Sequence, residues 1–368
     1  MTRNFGLDAM RALAILLVLV AHGTGEFLSK WIPRFWSDFS GLLGFWGVEI
    51  FFALSGFLVG GILIKISTDG LTPAKIGRFW FMRWMRTLPN YYVYLLGQAW
   101  LIVPLSDLPR IIWDNKAFLV FFQSFAWPHP GFFDSGWSLA VEEWFYFITP
   151  LILYVFVLLR GKPRTSQLLT ILLVFAFSVI LRAYVSLQYP QFGFDAPRKI
   201  VIFRFDGIMY GMAMAYYFHW YKESFNRYRA QFAAVGMLIF IGMFLYQFYG
   251  YVDIDTSATF KIYVIAAAPF ASALLIPWVT SIPRMDSAVG RWIDLTAKLS
   301  YSLYLCNHMV MVYVAASLRL SIDQTRSGGV MGLFVFISFS YIVAFVSYSL
   351  VERPFLTLRD RIVARQKT

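Results

Sequence analysis

Residues 41–64 read GLLGFWGVEIFFALSGFLVGGILI, an apolar run in which Glu49 is the single charged side chain. About 20 consecutive apolar residues span the hydrocarbon core of a bilayer as a helix, so this stretch is read as a transmembrane helix. Working outward, the same pattern gives nine more spans, at about 7–27, 87–105, 137–159, 167–188, 200–219, 231–250, 261–280, 299–318 and 329–351. The apolar piece 117–127 is too short to cross comfortably and is expected to be re-entrant or interfacial. Leu13–Ala21 lies between Arg11 and His22 with no small-residue cleavage site after it, and is read as a retained first helix rather than a signal peptide.

Composition agrees. Of 368 residues, 59% are hydrophobic and 14% charged, against about 25% charged in a soluble globular chain. Aromatics make up 20%, with Trp and Tyr suited to the lipid–water boundary. The net charge of +12 reports loops rich in Lys and Arg rather than nucleic acid, because no basic cluster has the aromatic spacing of a nucleic-acid module. With ten spans and a cytoplasmic N-terminus, 20 of the 32 Lys and Arg fall in inside segments, nine outside and three within spans. Letting 117–127 cross would put the basic segment 160–164 outside. The expected fold is therefore all-α: a polytopic membrane protein of about ten transmembrane helices with both termini cytoplasmic. No internal repeat, low-complexity tract or linker divides the sequence, so a single transmembrane domain over 1–368 is expected. The loop 106–136, carrying Pro109, Pro128 and Pro130, is the longest outside segment and a candidate lid. Cys306 is the one cysteine, and the four histidines at 22, 129, 219 and 308 show no ligand spacing, so neither an internal disulfide nor a metal site is expected.

Intramembrane charges cost about 2.5–3.5 kcal/mol each on insertion scales, and a chain that keeps many of them uses them. This one keeps Asp8, Arg11 and His22 in span one, Glu49 in span two, and Glu142 and Glu143 in span four. Arg182 sits in span five, Arg204 and Asp206 in span six, and Asn307 and His308 in span nine. His22 stands roughly 16 Å beyond Arg11 along a helix, in the outer half. At roughly 6–12 Å from the outer ends of their spans, Glu49, Glu142, Arg204 and Asp206 are expected to share the layer of His22. Arg11, Arg83 and Arg86 share the inner boundary. Guanidinium groups bind phosphate bidentately. A His beside a carboxylate suits removal of a hydroxyl proton. Two such levels fit a machine that takes an activated group from a cytoplasmic phosphate carrier and delivers it to a hydroxyl.

At these residues the chain resembles the acyltransferase-3 family of integral membrane O-acyltransferases. The resemblance rests on LDAMRALAILLVLVAHG (7–23), GVEIFFALSGFLVGGIL (47–63), RFWFMRWMRTLPNYYVYLL (78–96), WSLAVEEWFYFITPLIL (137–153), FRFDGIMYGMAMA (203–215), LSYSLYLCNHMV (299–310) and VERPFLTLRDR (351–361). These seven motifs follow in order along nearly the whole chain. The resemblance implies transfer of an acyl group, usually acetyl, from acyl-CoA as co-substrate to a hydroxyl of a carbohydrate. Family acceptors include cell-surface polysaccharides, lipopolysaccharide, peptidoglycan, lipo-oligosaccharides and some macrolides. It implies a multi-pass protein of the bacterial cytoplasmic (inner) membrane, with no permanently bound cofactor and with polysaccharide-assembly proteins as possible partners. Carried over by motif, His22 is the general base and Arg11 its essential companion. Arg11, Arg83 and Arg86 hold the donor phosphates. Glu142 and Glu143 face different ways on a helix, and Glu142 is taken as the one turned to the site. Glu49, Trp137, Arg204 and Asp206 are candidate acceptor-binding residues, with Arg204 and Asp206 equally readable as structural ion-pair partners.

Two departures stand out. Glu49 occupies a position where the family commonly has Asp. Asn307 occupies the position where the family commonly places His, and His308, one residue on, is turned by about 100° and is given no catalytic role. The family's optional extracytoplasmic hydrolase-like domain is not expected here. A transporter or flippase for a glycan or lipid-linked intermediate also uses intramembrane His, Arg and Glu, but would more often show matched repeat halves. A membrane scaffold would not need the buried ionisable groups. Dependence on acyl-CoA separates the three.

Overall fold

The computed structural model describes residues 4–102, 104, 106–250, 252–321 and 326–365. Arg3, Lys367 and part of the expected span 87–105 lie outside the described residues. The described residues fold as helices, in the order α1 (Phe5–Gly23), α2 (Arg34–Thr68), α3 (Pro73–Ile102), α4 (Leu108–Asp114), α5 (Gly136–Arg160), α6 (Pro163–Gln188) and α7 (Asp195–Lys199). There follow α8 (Phe205–Trp220), α9 (Lys222–Arg227), α10 (Arg229–Tyr249), α11 (Ile265–Val279), α12 (Ala288–Ser321), α13 (Arg326–Ser347) and α14 (Arg353–Arg365). Wider π turns extend α1 over Thr24–Leu28, precede α11 over Phe260–Val264 and join α13 to α14 over Tyr348–Glu352.

Each expected span corresponds to a helix. Among the described residues, eight helical segments are long and apolar enough to cross a membrane. The other two are α3, which carries Arg78, Arg83 and Arg86, and α8, which has only 16 residues. Local sequence sets the boundaries. Asn4 caps α1, its side chain accepting from Leu7 N while its amide donates to Thr280 O at 2.9 Å. That bond ties the start of α1 to the end of α11. Gly161, at φ +62°, closes α5 in the left-handed region that favours glycine, and Pro163 opens α6 at its first turn.

Helix α2 runs through the middle of the bundle and packs against α1, α5, α8 and α11. Its crossing with α8 is a backbone contact. A Cβ on Gly56 would lie 1.9 Å from Ile208 O, and one on Gly211 would lie 2.0 Å from Ala53 O. Small residues allow such closeness where no hydrophobic drive between helices exists. Outward faces of α6, α10 and α13 carry exposed Leu, Ile, Val and Phe, as lipid contact requires.

The proline-bearing loop after α3 is a plug rather than a free lid. Phe118, Gln123, Ser124 and Phe133 are buried. Tyr91 Oη donates to Phe118 O at 2.9 Å and Trp144 Nε1 to Phe121 O at 2.9 Å, while Val201 N and Ile202 N donate to Ser124 O and Phe125 O. The segment 117–127 thus lies among α3, α5 and the 3-10 turn Val201–Phe203 and does not cross.

Candidate active site

Two polar levels are present, with memberships that differ from those the sequence indicates. The first is a cavity of about 300 Å³ between α1, α2, α3, α5 and α12. Arg11, Arg83 and Arg86 line it together with Glu142, and Phe51, Phe52, Leu58 and Ile62 supply its apolar walls. Arg11 Nη1 donates to Asp8 Oδ1 at 3.1 Å, the pairing of successive turns that the spacing predicts. Arg83 Nε is buried without a hydrogen-bond partner.

Glu142 belongs to this cavity and not to the layer of His22. Tyr146 Oη donates to Glu142 Oε2 at 2.8 Å, so the Ser55 hydroxyl, 2.5 Å from Tyr146 Oη, must in turn donate to Tyr146. The depth inferred from sequence is displaced because the plug covers the N-terminus of α5. Gln123 Nε2 donates to Gly136 O at 3.0 Å, so the helix begins below the surface. Glu143, next in sequence, faces a separate aromatic recess bounded by Trp84, Tyr92 and Trp144.

The second level is at the far end of α1. His22 Nδ1 lies 2.5 Å from Asn307 Oδ1 on α12. The His308 ring stands 6.3 Å from the His22 ring at 79°, so His308 does not face elsewhere as the motif shift implies. Beyond the two imidazoles is a charged rim. Lys199 Nζ bridges Asp134 at 3.2 Å and Asp195 at 3.0 Å. Arg198 pairs with Asp195 at 3.0 Å and stacks over Trp137 at 5.1 Å and Phe194 at 5.4 Å. Burial pushes the His129 imidazole down to about 4. Burial pushes the Asp134 carboxyl up, but the neighbouring Lys199 charge and its hydrogen bond outweigh this and hold it below the usual carboxylate range.

The levels approach one another along α12. Ser138 and Tyr304, whose hydroxyls are 2.6 Å apart, line the end of the cavity nearest His22. Tyr304 precedes Asn307 by three residues, roughly 4.5 Å of helix rise. His22 itself does not line the cavity.

The remaining candidates are engaged with one another. Arg204 Nη2 donates to both oxygens of Glu49 at 2.5 and 2.6 Å, and Arg182 Nη1 and Nη2 donate to the two oxygens of Asp206 at 2.9 and 2.7 Å. All four side chains are fully buried and none lines the cavity. Arg182 is thus a structural partner of Asp206. Trp137 is buried edge-on to Phe52, beneath Arg198. Sequence reading missed Asn307 as the partner of His22, although a polar residue near the middle of a span, where the motif expects His, was the available signal. It also missed Ser55, Ser138, Tyr146 and Tyr304, hydroxyls that nothing distinguishes in so aromatic a chain.

A family model described as Acyltransferase domain matches residues 4–349. The chain belongs to the acyltransferase-3 family. A Staphylococcus aureus (strain COL) protein named "Putative O-acetyltransferase" is 27% identical over 380 residues, covering 95% of this chain and 57% of that protein. The peptidoglycan O-acetyltransferase OatA of Listeria monocytogenes is 29% identical over 175 residues, covering 43% of this chain and 25% of OatA. This family member thus spans about half the length of the first of these relatives. No solved structure matches it.

Proposed function

We propose that this chain transfers an acyl group, acetyl by preference, from acyl-CoA to a hydroxyl of a carbohydrate such as peptidoglycan. The observation that carries the proposal is the cavity that gathers Arg11, Arg83 and Arg86 at the level nearer the start of α1 and ends one helical turn short of the partner of His22. Three guanidiniums suit the phosphates of the donor, and the buried, unpartnered Nε of Arg83 has a proton to give. The apolar walls suit an acylated pantetheine arm. His22 takes the proton of the acceptor hydroxyl. That oxygen attacks the thioester carbonyl, the C–S bond breaks, and CoA leaves as a thiolate that recovers the proton. With the basic segments cytoplasmic, the donor docks inside and the acceptor arrives through the rim of Asp134, Arg198 and Lys199. The membrane is the bacterial cytoplasmic one, and polymer-assembly proteins are the expected partners. The names of the relatives support acetyl as the group and peptidoglycan as one acceptor.

Purified protein is given acetyl-CoA with soluble peptidoglycan fragments, and thiol release and ester formation are followed. Acceptor-dependent release that falls about 10²–10⁴-fold in His22→Ala supports the assignment, the range expected for loss of a general base. Absence of both acetyl-CoA binding and release would overturn it and favour transport.

A further inference from the structure

We propose that Asn307 is a positioning residue that locks the His22 imidazole in its Nδ1–H tautomer and leaves Nε2 as the basic nitrogen. The inference rests on His22 as the base of the proposed transfer. The orientation of the Asn307 amide is set by its own helix. Nδ2 donates to Leu303 O at 3.1 Å and to Tyr304 O at 2.7 Å, which uses both amide protons. Oδ1 is therefore the atom left to face His22. An amide oxygen carries only lone pairs, so the hydrogen in the 2.5 Å contact must belong to His22 Nδ1. A neutral imidazole has one N–H, so Nε2 holds the free pair that a general base needs.

The lock is rigid and uncharged. Asn307 is fully buried, on a helix whose preceding turn holds the buried Leu303 and Cys306. His22 is half-buried, with the His308 ring on α12 standing 6.3 Å from it. A carboxylate at 307 would fix the same tautomer but would bring a charge into an apolar helix contact, at a desolvation cost. The charged or titratable groups acting on the imidazole from elsewhere are His308, Asp134 and Arg198. None of them occupies Nδ1.

Only four histidines are present, so selective ¹⁵N-histidine labelling of the full chain in detergent resolves the tautomer, with His22→Ala assigning the signals. At alkaline pH the wild type is expected to show a protonated Nδ1 and an unprotonated Nε2 at His22. Asn307→Leu is expected to convert this to a tautomer mixture, and Asn307→Asp to keep it. In thiol release, Asn307→Leu lowers kcat by at least about tenfold, within the roughly 10⁴-fold of a wrong-tautomer substitution. Asn307→Asp restores part of the loss, and its acid limb moves to higher pH because a carboxylate favours the imidazolium. The KM for acetyl-CoA stays unchanged in both, since Asn307 does not line the donor cavity. A protonated Nε2 in the wild type, or a Leu variant with the wild-type spectrum, overturns the inference. The wild-type spectrum decides even if the Leu variant fails to fold. A locked tautomer together with a fully active His22→Ala would keep the lock and remove His22 from the chemistry.

Discussion

Replacing Arg204 by Met separates a structural ion pair from a substrate contact. Arg204 and Glu49 are both fully buried, and a single guanidinium nitrogen reaches both carboxylate oxygens at 2.5 and 2.6 Å. Arg204→Met leaves Glu49 in an apolar crossing of α2 and α8 with no cation. Breaking a buried pair on one side costs about 3–5 kcal/mol. At roughly 2 °C per kcal/mol for a long chain, the apparent melting temperature should fall by roughly 5–10 °C. Glu49→Leu combined with Arg204→Met removes both charges, and replacing a whole buried pair is commonly neutral or stabilising. The double variant should therefore recover the wild-type value. Loss of the monodisperse peak after a heat step, read by fluorescence on a sizing column, measures all three. An Arg204→Met protein as stable as wild type, with a raised acceptor KM instead, would refute the structural assignment and return Glu49, Arg204 and Asp206 to the acceptor site.

Four further outcomes are expected. Gly211→Ala puts a Cβ 2.0 Å from Ala53 O and should cost about 1–3 kcal/mol by forcing α2 from α8, seen as lost yield and a lower melting temperature. Gly242→Ala on α10, which meets nothing within 4 Å, should be neutral or slightly stabilising. Arg83→Gln should weaken acetyl-CoA binding by about tenfold or more, since a charge-assisted hydrogen bond contributes about 1.5–3 kcal/mol, while His22-dependent turnover at saturating donor survives; unchanged affinity in calorimetry would remove Arg83 from the donor site. Burial holds His129 at about 4, below the unfolded value of about 6.5, so the unfolded chain binds the proton first and stability is lost as pH falls between those values, by up to about 3 kcal/mol. Melting curves should therefore converge for wild type and a less stable His129→Asn as pH drops from 7 to 4.5, and parallel curves would contradict it.

Much of the fold was legible because lipid imposes one rule on every span. Residues 41–64 and their nine counterparts each became a helix, and the Lys and Arg count kept 117–127 from crossing. Depth was less legible. Counting residues from the start of an apolar run assumes that the run begins at the surface, and Gly136 begins beneath a plug. Glu142 was therefore assigned to the wrong level, while Arg11 and His22, on a helix with an ordinary start, fell where counting put them. Pairing was legible only within a helix, as for Asp8 and Arg11. Glu49 with Arg204, and His22 with Asn307, are joined by the fold across 155 and 285 residues, and no local pattern announces them.

An ionisable residue inside a membrane invites a functional reading by default, but in this chain hydrogen bonding and a place on the cavity together sort one role from another. Arg182 and Arg204 are the deepest guanidiniums: their terminal nitrogens are taken by a buried carboxylate and by backbone carbonyls, and although each keeps an unmatched Nε, neither lines the cavity where a ligand could reach it. Arg83 is shallower and keeps a buried N–H unmatched inside a cavity. A donor phosphate there would satisfy a group that the fold leaves wanting, so binding would relieve a standing cost and need not break any existing pair. His22 follows the same logic from the other side: one nitrogen is committed to Asn307, and that commitment is what leaves the second nitrogen uncommitted. Depth measures what a buried charge costs the fold. An unmet hydrogen bond on a residue that lines a cavity marks where the fold has left room for something else.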